Sequence, residues 1–187
     1  MDSLVKRAME HDVNAFAKLM EENTGSMYKV ARCFLKNDED IADAVQDTIL
    51  TCFEKITTLR QEKYFKTWLI RILINHCKDM LREQKKTCSY AEIPEFQREN
   101  VSTGLGLEWK DLLERLDEKY RAVIVLYYLE GFKIKEISTL LDMNISTVKT
   151  RLSRGRAELQ QLYKEDEKER KEQIVPFRLK EVEHYVR

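Results

Sequence analysis

One stretch governs how this chain can fold. From Thr87 to Gly106 it reads TCSYAEIPEFQRENVSTGLG, without helical periodicity and with Pro94, Gly104 and Gly106 inside it. The whole 187-residue chain has five Gly and two Pro, so three of its seven strongest turn-formers fall in this one segment. On either side, apolar residues recur at intervals of three and four, the period of an amphipathic helix. The expected fold is all-α: two small helical domains, residues 1–86 and 107–163, joined by a flexible linker over 87–106. So few turn residues argue against a many-stranded sheet. A charged extension, 164–187, follows. Its first part, KEDEKERKEQ, either prolongs the last helix or frays. Its last part sets Leu179, Val182 and Val186 on one short amphipathic face with no recognisable role.

Charge is partitioned although 33 basic and 33 acidic residues cancel. Between Asn37 and Glu54 lie Asp38, Glu39, Asp40, Asp43, Asp47 and Glu54 and no base. Between Arg60 and Lys86, eight bases face only Glu62, Asp79 and Glu83. Opposed patches of this kind suit at least two partners of opposite charge. No apolar run reaches the roughly 18 residues of a membrane span, and the first 30 residues carry acids where a signal peptide needs an apolar block. The expectation is a cytoplasmic chain with no direct membrane insertion. Cys33, Cys52, Cys77 and Cys88 are too widely spaced for a zinc site and read as reduced helical cysteines, so no metal and no cofactor is expected. Of the three histidines, His76 falls on an apolar helix face and reads as a satisfied, partly buried side chain.

Within KIKEISTLLDMNISTVKTRLSRGRAELQQL, Ile134, Ile137, Leu140 and Leu141 form one apolar stripe, and Ile145, Val148, Leu152, Leu159 and Leu162 another. The intervening DMN is short enough only for a tight turn, with Asn144 as N-cap of the second helix, and the pair reads as a helix-turn-helix. The preceding apolar helix, Ala122–Leu129, ends at a C-cap Gly131. On the second helix of the motif, Val148, Leu152 and Leu159 point to the core. Thr150, Ser153, Arg154 and Ala157 then point outward, flanked by Lys149, Arg151 and Arg156. Short polar groups framed by cations suit a helix in a DNA major groove, the centre reaching base edges and the flanks neutralising phosphates. A solvated basic face is the plain alternative, but such faces usually interleave acids, and Ile145–Ala157 has none.

The first domain holds two further constellations. In DEDIADAVQDTILTCFEKI, Ile41, Val45, Ile49, Cys52, Phe53 and Ile56 read as the core side. Asp43, Gln46, Asp47, Leu50 and Glu54 form a stripe opposite. A leucine amid acids is either one more exposed apolar residue or the anchor of a protein interface with a polar rim. In YFKTWLIRILINHCKDMLREQKK, Phe65, Leu69, Ile72, Leu73, His76 and Met80 read as buried. Trp68, Arg71, Asn75, Lys78 and Arg82 recur every three or four residues on another face. Cations that follow phosphates, a ring that stacks on bases and an amide that pairs with a base edge are what single-stranded nucleic acid requires. A core-edge tryptophan with solubilising cations is the alternative.

These stretches, in this order, resemble the sigma factors of bacterial RNA polymerase in the small extracytoplasmic-function group. The resemblance covers residues 1–163. It implies a non-enzymatic transcription initiation factor whose first domain is region 2 and whose second is region 4. By it, Asp43, Gln46, Asp47, Leu50 and Glu54 bind the β′ clamp coiled coil of core polymerase. Trp68, Arg71, Asn75, Lys78 and Arg82 lie along the opened −10 strand, with Asn75 at the pocket of a flipped base. Lys149, Thr150, Arg151, Ser153, Arg154 and Arg156 take the −35 duplex, and region 4 meets the β flap. The linker, with Glu92, Glu95 and Glu99, threads towards the RNA exit path, and a membrane-linked anti-sigma factor is the implied antagonist. Three positions depart from the family pattern: Leu116-Asp117 for a frequent Leu-Pro, Asp142 for a turn Gly, and Gly155 for a helical Ala at about 1 kcal/mol of propensity. A helix-turn-helix regulator working without polymerase leaves the first domain's stripes idle. A magnesium-dependent hydrolase built on Asp40, Asp43, Asp47 and Glu54 lacks a phosphate-cradling Gly loop.

Overall fold

The structure, a computed structural model, describes residues 3–87 and 112–172, with side chains over 3–85 and 112–166. The expected linker core with Cys88, Glu92, Glu95 and Glu99, and the tail from residue 173 with His184, lie outside the described residues. All described elements are helical, and no strand occurs among them. They form two units.

The first unit holds α1 (Leu4–Met9), α2 (Val13–Ala31), α3 (Asp38–Lys55) and α4 (Phe65–Thr87), with short 3-10 turns at Ile56–Thr58 and Glu62–Tyr64. Side-chain caps start the helices: Ser3 accepts from the Lys6 amide, Asp12 from that of Ala15 and Asn37 from that of Glu39. Asp38, Glu39 and Asp40 crowd the first turn of α3, where its dipole favours negative charge, and Asp38 also pairs with Arg32 at 2.6 Å. α2, α3 and α4 pack on one another, and α1 lies on α2.

The α3 core seam runs Ile41, Ala44, Val45, Thr48, Cys52. Thr48 is fully buried because its hydroxyl donates to the Ala44 carbonyl at 2.6 Å. Phe53, expected in this seam, is 54% exposed, and Ile49 is half-buried. One residue past Cys52, Phe53 is turned about 100° off the seam, and its ring rests edge-on against Phe16 at 5.2 Å. On α4 the buried face is Phe65, Leu69, Ile70, Leu73, Ile74 and Cys77, while Ile72, His76 and Met80 are half-buried. The apolar arc of α4 is wide, and its packing against both α2 and α3 selects the Ile70 side.

The second unit begins with a helical turn at 112–115. It continues through α5 (Glu118–Ile124) into a π-helical turn (Val125–Leu129), then the start of α6 (Ile134–Leu141), whose Ser138–Asp142 stretch groups with the first unit, and α7 (Ile145–Glu172). The charged run after Tyr163 thus prolongs α7 as far as Glu172. There Arg115, from the helical turn, pairs with Asp166 and Glu165. Asp117, where the family pattern often has proline, caps α5 by accepting from the Lys119 amide at 3.0 Å. Gly131 ends the π turn at φ 73, as its expected C-cap role requires. Asp142 holds φ 55 in the α6–α7 turn, which explains why glycine suits that position. Tyr120, Ala122, Val123, Ile124, Val125, Leu126, Ile137, Val148 and Leu152 are buried in this unit, each full burial worth about 1.5–3 kcal/mol for the larger side chains.

Candidate nucleic-acid and protein interfaces

On α3 the acids separate by task. Asp38 is paired with Arg32, and Asp40 accepts from the Gln84 side chain at 2.9 Å. Asp43, Gln46, Asp47, Leu50 and Glu54 are all exposed, so the expected stripe is presented as one surface. Leu50 is 56% exposed, and Phe53 stands one helical turn from it at nearly the same exposure. The face therefore has two apolar side chains amid acids, not one. A ring at i+3 from an exposed Leu was the available sequence signal, and it was masked by Phe53's fit to a core period. The acids do not converge: no group of three His, Cys, Asp or Glu residues among the described residues is placed to hold a metal ion.

Two side chains fix α3 to α4 and hold both surfaces in register. The Thr51 hydroxyl and His76 Nε2 lie 3.1 Å apart, so His76 is a satisfied, half-buried histidine. Cys52 and Cys77 are fully buried and have their thiols pushed up to about 12 by desolvation, which leaves them protonated and unreactive.

The outward face of α4 carries Trp68, Arg71, Asn75, Lys78 and Arg82, each three or four residues from the last. Arg71, Asn75 and Arg82 are exposed, while Trp68 and Lys78 are half-buried. The Trp68 ring leans on buried Phe65 at 6.2 Å and 44°, which steadies it while part of it stays open to solvent. Arg82 is bridged to Asp79 at 2.7 Å, a surface pair of little energetic weight.

α7 is capped by Asn144, whose Oδ1 accepts from the Thr147 amide at 2.9 Å. Beyond the cap, Lys149, Thr150, Ser153, Arg154 and Arg156 are exposed, and Val148 and Leu152 are buried. Thr150 donates to the Ser146 carbonyl at 2.9 Å. Arg151 is half-buried and donates to the Lys119 carbonyl at 3.1 Å, tying α7 to α5. Arg156 lies over the Tyr128 ring at 5.8 Å. Gly155 is buried against α5: a Cβ there would stand 2.9 Å from Tyr120 Cβ and 3.0 Å from Ile124 Cγ1. The glycine expected only to weaken the helix is what lets α7 approach this closely. One turn later Glu158 accepts from the Asp117 amide at 2.8 Å. The inner edge of α7 is thus seated on α5 at successive points, and its outer edge presents Lys149, Ser153 and Arg154. No helix among the described residues is long and apolar enough to cross a membrane.

Residues 19–87 match the family model described as Sigma-70 region 2, and residues 107–159 match that of Sigma-70, region 4. The chain is 35% identical over 145 residues to the RNA polymerase sigma factor SigV of Bacillus subtilis, covering 74% of this chain and 86% of that one. It is 28% identical over 174 residues to the ECF RNA polymerase sigma factor SigW of the same organism, covering 83% and 92%. Among solved structures, the sigma factor RpoE of Bartonella quintana in complex with the anti-sigma factor NepR superposes with a TM-score of 0.68 at 25% identity, over 81% of this chain and 98% of that one. Two matched regions in the family's order, on a fold shared with a solved member, leave one assignment: the chain belongs to the sigma-70 family of RNA polymerase sigma factors, in its extracytoplasmic-function group.

Proposed function

We propose that three helix faces divide the work of a sigma factor that binds core RNA polymerase and directs promoter recognition and opening. Asp43, Gln46, Asp47, Leu50 and Glu54, with Phe53 beside them, dock on the β′ clamp coiled coil. The observation that carries this is the pair of half-exposed apolar side chains, Leu50 and Phe53, on a face whose acids serve no visible structural need. Trp68, Arg71, Asn75, Lys78 and Arg82 take the unpaired −10 strand, with Asn75 reading an extruded base. Lys149, Thr150, Ser153 and Arg154 read the −35 duplex, flanked by Arg151 and Arg156. Residues 1–86 and 107–163 are the two working domains, and 87–106 joins them. Free energy comes from binding alone, and nucleotide chemistry belongs to the polymerase. The related RpoE is held by an anti-sigma factor, and a protein antagonist of that kind is the fitting regulator here. A helix-turn-helix regulator acting without polymerase has no use for the α3 and α4 faces.

The test is run-off transcription from a randomised promoter pool, with purified core polymerase and with or without this protein. Selection of discrete promoters, together with a stable complex with core, is expected. Unselective transcription and no complex would overturn the proposal.

A further inference from the structure

We infer that Tyr128 is a positioning residue that holds Arg156 ready for a phosphate beside the −35 helix, a role that rests on α7 being the duplex-reading element. Arg156 is exposed, yet its guanidinium lies over the Tyr128 ring at 5.8 Å. Stacking uses the face of the guanidinium and leaves its in-plane N–H groups pointing outward, where they still donate to phosphate oxygens. An arginine held this way gives up less rotamer freedom on gripping the backbone than one that swings freely. The ring is itself held. Tyr128 is half-buried and meets Tyr127 edge-on, centroids 4.9 Å apart at 82°.

Both tyrosines belong to the π-helical turn Val125–Leu129, closed by the Glu130 amide on the Val125 carbonyl at 3.0 Å. A π turn inserts a residue into the helical register and so re-aims the side chains after it, which is why such turns recur at functional positions. Here the re-aimed segment is the one that meets Arg156. Phosphate is the ligand because Arg156 flanks the outward face of α7, one turn beyond Ser153 and two beyond Lys149, where a cation meets the duplex backbone.

The probe is the promoter duplex that wild-type holoenzyme selects from a randomised pool, and the readout is the affinity of full-length holoenzyme over a series of salt concentrations. Tyr128→Leu, which keeps apolar bulk and loses the ring face, is expected to weaken binding about threefold. It should also flatten the slope of log affinity against log salt by about 0.9, as Arg156→Ala does. Tyr128→Phe keeps the ring and should restore both. Arg156→Ala made on the Tyr128→Leu background should add no further loss, whereas a merely destabilised fold would leave the two effects additive. Wild-type affinity and slope for Tyr128→Leu, additivity, or a Tyr128→Phe that behaves like Leu would each overturn the assignment. Arg154→Ala separates the premise: if it leaves binding intact, α7 does not read the duplex at all.

Discussion

On α3, the acids that serve the fold and the acids that face outward are different residues, while on α7 the cations are divided between both tasks. Asp38 and Asp40 are engaged with Arg32 and Gln84, and Asp43, Asp47 and Glu54 are left on the surface. Arg151 and Arg156, in contrast, belong to the same basic cluster as Lys149 and Arg154, yet one ties α7 to the Lys119 carbonyl and the other rests on Tyr128. The comparison teaches that a run of one charge sign measures potential contact, not presented contact. What decides is how much of each side chain the neighbouring helix claims. α3 presents apolar side chains among acids, which suits the proposed protein partner, and α7 presents short polar groups and cations, which suit the proposed duplex.

The largest expected effect breaks the α3 side alone. Leu50→Asp should lower affinity for core polymerase by at least about 30-fold, the scale of an interface hot spot. Because Leu50 is exposed, its stability to urea should move by less than about 0.5 kcal/mol. Phe53→Ala should weaken the same complex less. Loss of core binding only with loss of folding would erase the distinction between presented and structural residues.

On the α7 side, Gly155→Ala sharpens the comparison. Helix propensity alone predicts a gain of about 1 kcal/mol, and the 2.9 Å approach to Tyr120 predicts a loss of about 1–3 kcal/mol through overpacking. Urea unfolding gives the sign. Asn144→Ala should cost about 1 kcal/mol through the lost N-cap of α7, measured the same way.

The smallest effect is in acid. The Asp117 carboxyl is held below the usual carboxylate range, first by its hydrogen bond from the Lys119 side chain and then by the Lys119 amide. A lowered folded-state value means stability that is present above the ordinary aspartate pKa of about 3.9 and lost as pH falls through the folded value. Asp117→Asn keeps a capping oxygen and removes the titration, so it should flatten the acid limb of the stability profile and leave neutral stability nearly unchanged. An unchanged acid limb would show that this cap carries no pH dependence.

Much of this was legible in the sequence. Two helical domains, the Asn144 cap, the Gly131 stop and the outward stripes all follow from period and capping chemistry. The rest depended on neighbours that period does not report. Phe53 matched the core spacing of α3, but its seam ends at Cys52 and Ile56, so the ring was left outside against Phe16. The buried face of α4 is displaced by one position because apolar residues at both 69–70 and 73–74 permit two centres, and only packing on α2 and α3 chooses. Gly155 looks like a pure propensity cost in the sequence because the close approach of Tyr120 lies 35 residues away in the chain. The π turn had no sequence signal that distinguishes it from ordinary helix.

In the proposed division of work, strand opening and duplex reading sit on separate helices, α4 and α7. Permanganate footprinting of unpaired thymines, with holoenzyme on its selected promoter, tests it most directly. At saturating protein, Arg154→Ala should open the −10 region as wild type does while needing more protein to occupy it. Asn75→Ala should occupy the promoter normally and leave those thymines paired. If both variants lose occupancy and opening together, the separation of tasks between α4 and α7 is wrong.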